Sequence, residues 1–205
     1  MQFDTTLRPD YYSVKIGVSE YLNFEGEGKK RKANVIPLDT VMKNLQDELI
    51  RIGFHQTLTK SSIAEKTNRT NGERIYFYDR ILFQVTFDFD ISTKDSVEYL
   101  FKSLNKETLQ SLYVSPKFKN STLEAAKDLL ISKGLEETKK YAQKIAAENK
   151  QQIIKQTNTY LGFYAKNQNN SADYNIYGQR KEFVINLDDV DYSLNITYAY
   201  LFEDK

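Results

Sequence analysis

A chain of 205 residues with 40% hydrophobic and 13% aromatic residues is long and apolar enough to bury a core, which excludes a disordered segment. Its 29 Lys+Arg stand against 28 Asp+Glu, a balance that argues against a general nucleic-acid binder. Cysteine is absent, so disulfides, thiolate catalysis and cysteine metal sites are excluded, although no compartment follows from that. No apolar run is long enough to span a membrane, and MQFDTTLRPD has neither the basic nor the apolar region of a signal peptide. The expectation is a cytoplasmic chain or the mature form of an exported one.

The first predicted strand is 11–22, where Tyr12, Val14, Ile16 and Val18 alternate with Ser13, Lys15, Gly17 and Ser19. Pro9-Asp10 before it reads as a turn. Residues 25–34 (EGEGKKRKAN) read as an exposed hairpin tip or loop, with the basic run 29–32 diluted by Glu25 and Glu27. Residues 37–52 carry Leu38, Val41, Met42, Leu45, Leu49 and Ile52 at helical spacing, with Gly53 placed to end the helix. His55, the sole histidine, has no nucleophile or ligand partner nearby in sequence and reads as a packing or surface residue. Asn71-Gly72 marks a turn. Residues 75–89 alternate Phe83, Val85, Phe87 and Phe89 against Gln84, Thr86 and Asp88, a strand that needs a covering layer. Ser92 or Thr93 then caps a short helix with Val97, Leu100, Phe101 and Leu104 inward. Residues 111–118 read as a strand, with Pro116 at an edge or an end.

The longest element is predicted over 121–149, rich in strong helix formers and started by a Ser121–Glu124 capping box. Ala126, Leu130, Gly134, Thr138, Ala142 and Ala146 repeat every four residues. This mostly small-residue row predicts a closely packed seam, flanked by Ile131, Leu135, Tyr141 and Ile145. Its expected partner is the apolar strand over 75–89. Beyond it, 152–165 reads as a strand and 166–175 as a polar loop, of which 167–174 is expected to be removable without loss of the fold. Phe183–Leu187 and the final strand are separated by a turn at Asp188-Asp189. In that last strand Tyr192, Leu194, Ile196, Tyr198 and Tyr200 share one face. The predicted fold is α+β: a mixed or antiparallel sheet covered by two shorter helices and one long helix, in a single domain over 1–205.

Pro9-Asp10 ahead of YYSVKIGVSE, a helix ending at Gly53, an aromatic strand, the small-residue helix and a final alternating strand occur in that order. Together they resemble the SIMPL-domain family. The resemblance covers nearly the whole chain through a pattern of elements. It departs at Leu130, Gly134 and Thr138, where alanine is usual, and at the start, where only MQFDTTLR precedes Pro9. It implies a bacterial envelope protein, periplasmic or secreted, often self-associating and without an agreed catalytic activity. It transfers no catalytic residues.

The chain has no G-x-S-x-G, P-loop or H-E-x-x-H motif. Asp88 and Asp90 form one acidic pair and Asp188, Asp189 and Asp191 a second cluster, either able to offer carboxylates to a divalent cation. Asp at strand ends beside turns more often solvates or caps, so no metal and no cofactor is expected. The favoured expectation is a non-enzymatic envelope protein acting through self-assembly or partner binding, without nucleic acid or a membrane span. Tyr192, Tyr198, Tyr200 and Phe202 are the candidate association surface. The alternative is a small-ligand or metal-dependent activity at the acidic strand ends.

Overall fold

The structure, a computed structural model, describes residues 1–25, 32–55, 59–66, 82–166, 172–176 and 179–204. Side chains are described throughout these ranges except at 22, 24, 32–33, 59–66, 82, 157–161, 172–176 and 179–182. The Asn71-Gly72 turn, the basic run at 29–31 and the start of the predicted strand at 75–81 lie outside the described residues. The fold is α+β, as the sequence predicts, and it divides into two compact units. One comprises Met1–Asp10, Pro116–Asn169 and Asp188–Lys205, and the other Tyr11–Ser115 and Asn170–Leu187.

The second of these, here the mixed-sheet unit, holds β2 (Tyr11–Ser19), β3 (Tyr21–Glu25), β4 (Lys32–Ile36), α1 (Leu38–Arg51), β5 (Thr59–Lys66), β6 (Leu82–Ile91), α2 (Lys94–Ser103), most of β7 (Leu109–Lys117), β9 (Ala172–Ile176) and β10 (Gln179–Ile185). Six strands run in the order β5-β6-β2-β7-β10-β9, with β7 and β10 parallel. β3 and β4 pair antiparallel from Tyr21↔Ile36 to Glu25↔Lys32, so residues 25 and 32–34 of the predicted 25–34 loop lie in strands. Val14, Ile16, Val18, Val85 and Phe87 are fully or almost fully buried, as their alternation predicts. Val41, Leu45 and Leu49 of α1 and Val97 and Leu100 of α2 close this core. The predicted cover is the long helix; within this unit α1 and α2 contact β6.

The ends of α1 and α2 follow their local chemistry. Gly53 takes φ +90, and the Gly53 and Phe54 amides donate back to the Ile50 and Leu49 carbonyls, a Schellman ending that only a residue tolerant of positive φ allows. Thr93, not Ser92, caps α2, accepting from the Ser96 amide at 3.2 Å. Pro116 lies at the end of β7, after β10 has stopped pairing at Val114, so its missing N–H breaks no ladder there. The predicted loop at 166–175 is also corrected. Ala172–Ile176 pairs antiparallel with Phe183–Gln179, so its second half is a strand.

The other unit is a three-stranded antiparallel sheet, β1-β11-β8, under the long helix α3 (Asn120–Glu148). Its strands are β1 (Gln2–Leu7), β8 (Gln151–Ala165) and β11 (Val190–Asp204). The buried residues of α3 are Ala126, Leu130, Gly134, Thr138, Ala142 and Ala146, the whole predicted row. The row fits close packing. A Cβ on Gly134 would stand 2.8 Å from Ile196 Cδ1 and 3.1 Å from Phe3 Cε2. Of the predicted flanks, Ile131 and Ile145 are half-buried while Leu135 and Tyr141 are exposed. The capping box does not form. Lys119 is the N-cap without a side-chain bond, so Ser121 already lies within the first turn.

Candidate functional site

The residues singled out for association all lie on β11. Tyr192 stacks on Phe163 of β8 with ring centroids 5.1 Å apart and meets Phe118 edge-on at 5.6 Å. Tyr198 packs against the small cluster of Leu130, Leu194 and Ile196. The Tyr200 hydroxyl donates to Thr138 Oγ1 at 3.2 Å, and Thr138 in turn donates to the Gly134 carbonyl at 2.7 Å. Phe202 is half-buried. Burial pushes the Tyr192 and Tyr198 phenols up, so both stay protonated near neutrality. The aromatic face is therefore turned toward α3. The chain end carries its exposure on the other face, where Leu201 is 55% exposed and Ile154, at the neighbouring irregularity of β8, is 51% exposed.

A polar cluster joins the three strands on the face away from α3. Asp4 of β1 accepts from Ser193 Oγ of β11 at 2.6 Å, from Lys166 Nζ just past β8 at 2.8 Å, and from Gln2 Nε2 at 3.1 Å. Beside it Thr6 donates to Asp191 at 2.6 Å. The hydrogen bond from Lys166, with those from Ser193 and Gln2, holds the Asp4 carboxyl well below the usual range, and the same bond holds Lys166 up. A serine beside a lysine and an aspartate invites comparison with nucleophilic sites. Here the polarity runs the other way: the serine donates to a carboxylate too weakly basic to take its proton, and the lysine is held protonated. The cluster is a clasp between strands. Sequence reasoning missed β1 altogether; its signal was the short alternation Phe3, Thr5, Leu7, all half-buried, against Gln2, Asp4 and Thr6.

The acidic groups divide in the same way. Asp88 lies opposite Lys15 across the β2–β6 ladder, with Oδ2 3.6 Å from the ammonium, and its buried Oδ1 has no hydrogen-bond partner among the described residues. A cation at Asp88 would have to share that space with Lys15. Asp191 is bonded to Thr6, and Asp188 and Asp189 are exposed. No group of three or more metal-ligating side chains gathers among the described residues. His55 is exposed.

Two further carboxylates act at helix starts from a distance in sequence. Asp10 Oδ2 accepts from the Lys119 amide at 2.8 Å, and that bond with one from Thr122 holds its carboxyl low. Glu20 accepts from the Leu38 amide at 3.2 Å and from the Phe83 amide at 3.1 Å. Each supplies the acceptor that the N-caps Lys119 and Pro37 lack, at the positive end of the helix. The Pro9-Asp10 pair thus matters through its aspartate, as the remote cap of α3.

One open groove of about 570 Å³ lies between the start of β1 and α3, lined by Met1, Gln2, Phe3, Glu137, Lys140, Tyr141 and Lys144. Lys140 is bridged to Glu136 at 2.7 Å and Glu137 at 3.2 Å. No protein-family model matches the chain, and no curated protein or solved structure matches it. No helix of the described residues is long and apolar enough to cross a membrane.

Proposed function

We propose that the chain is a non-enzymatic cell-envelope protein that works by assembling with copies of itself or with another envelope protein. It acts in the periplasm or at the outer envelope if a leader is removed in maturation, and in the cytoplasm otherwise. The SIMPL-like order of elements supports the compartment. The carrying observation for assembly is the end of β11, where an aromatic face is backed by α3 while Leu201 and neighbouring Ile154 stay more than half exposed. An apolar strand end of this kind is what natural sheets otherwise shield. Size-exclusion chromatography with light scattering, run over a hundredfold range of concentration, is expected to give a mass above that of one chain. A monomer at every concentration would sink this reading.

The rival reading, a divalent cation at Asp88 and Asp90, has in its favour a buried Asp88 Oδ1 that no described residue bonds, and the Lys15 ammonium against it. A thermal-shift series with Ca²⁺, Mg²⁺ and Zn²⁺ separates the two. Stabilisation of wild type that is lost in Asp88→Asn would favour the cation.

A further inference from the structure

We propose that Tyr200 and Thr138 form a latch that holds the stretch Tyr198–Leu201 of β11 on α3, and that this stretch opens from the helix ahead of the buried stretch at Leu194–Ile196. The latch goes beyond the assembly reading and does not rest on it.

Thr138, 6% exposed, is the one polar side chain in the buried row that Ala126, Leu130, Gly134, Ala142 and Ala146 complete. Packing alone does not call for it. A β-branched residue in mid-helix forms helix less readily than alanine, and a buried hydroxyl costs free energy unless it is bonded. Its bonds give it a use. The hydroxyl proton is shared between the Gly134 carbonyl at 2.7 Å and the Leu135 carbonyl at 3.2 Å, both in its own helix. Toward the sheet the oxygen is left as an acceptor, and the Tyr200 hydroxyl donates to it at 3.2 Å. Tyrosine to threonine to backbone carbonyl is a chain in which each bond polarises the next.

Tyr200 also lies in a stretch set off from its neighbours. β11 pairs with β8 without interruption from Tyr198↔Asn158 to Leu201↔Lys155, and a register shift bounds that run on each side. Thr159 and Ile154 of β8 are the extra residues, and such irregularities interrupt the ladder. Burial changes at the same place. Leu194 and Ile196 are almost completely buried, whereas Tyr198 and Tyr200 are half-buried. A ladder broken at both ends over a partly buried face opens locally at low cost. The bond to Thr138 raises that cost from within the stretch. When it is broken, the two tyrosine rings leave the helix and Thr138 meets water.

Native-state amide exchange reads the latch. Tyr200→Phe removes one oxygen from a half-buried ring, and Thr138→Val removes the hydroxyl while keeping the branched shape. Each is expected to speed exchange of the amides of 198–201 by about fivefold, the worth of one hydrogen bond, while those of 194–196 exchange as in wild type. The double variant is expected to go no faster than the faster single, because both changes remove the same bond. Exchange that Tyr200→Phe leaves unchanged, that rises equally over 194–196, or that adds up in the double variant overturns the latch. Should Thr138→Val fail to fold, the pattern in Tyr200→Phe alone decides.

Discussion

At the scale of single residues, carboxylates set far from their targets in sequence hold this fold together. Asp10 and Glu20 bond to helix starts more than a dozen residues on, and Asp4 ties β1 to Ser193 and Lys166. Asp4 and Asp10 are held below their usual range, so each favours the folded state while ionised. That contribution is full above the carboxylate value of the unfolded chain and is lost as pH falls through the lower folded value. Asp4→Asn is accordingly expected to melt below wild type at pH 7, with the gap closing as pH drops below about 4. A gap that stays constant from pH 7 to pH 2.5, followed by thermal circular dichroism, would show that the clasp does not work through charge. None of these bonds was legible in the sequence, because each joins residues separated by a loop or more.

At the scale of elements, α3 is the clearest case of local pattern fixing packing. Its buried stripe is every fourth residue, and the small members let Phe3 and Ile196 approach the helix backbone. Gly134→Val puts branched carbon into that contact, and Ala142→Leu overfills the row one turn pair further on. Each is expected to destabilise by about 1–3 kcal/mol in urea unfolding. Unchanged midpoints would mean that the sheet yields to the added volume. The loop expected to be dispensable is now divided: removing 172–174 would strip residues that pair with Phe183, Glu182 and Lys181, and a loss of stability is expected from it.

At the scale of the molecule, each unit has its own apolar cluster. The mixed-sheet unit centres on residues such as Ile16, Phe87, Leu100 and Phe183, and the α3 unit on Leu130, Leu194 and Ile196. Leu130→Ala opens a cavity in the smaller cluster and is expected to cost about 2–5 kcal/mol. Native-state hydrogen exchange should then lose protection in β11 and α3 before β2 and β6. Equal loss in both would mean that the units unfold as one.

The sequence by itself determined the helices, most strands and their inward faces, because periods of two and of nearly four are written in neighbouring residues. It also marked the Gly53 ending and the turn at Asp188-Asp189. Tertiary structure alone decided what each face meets. It put α3 over β1, β11 and β8, with α1 and α2 over β6, and it made a strand of the seemingly spare start of the chain. Those choices depend on pairing across a hundred residues or more, as between Phe3 and Leu194. Local spacing carries no record of such partners; Asp4 of β1 finds its bonds only once β11 supplies Ser193 and the end of β8 leads into Lys166.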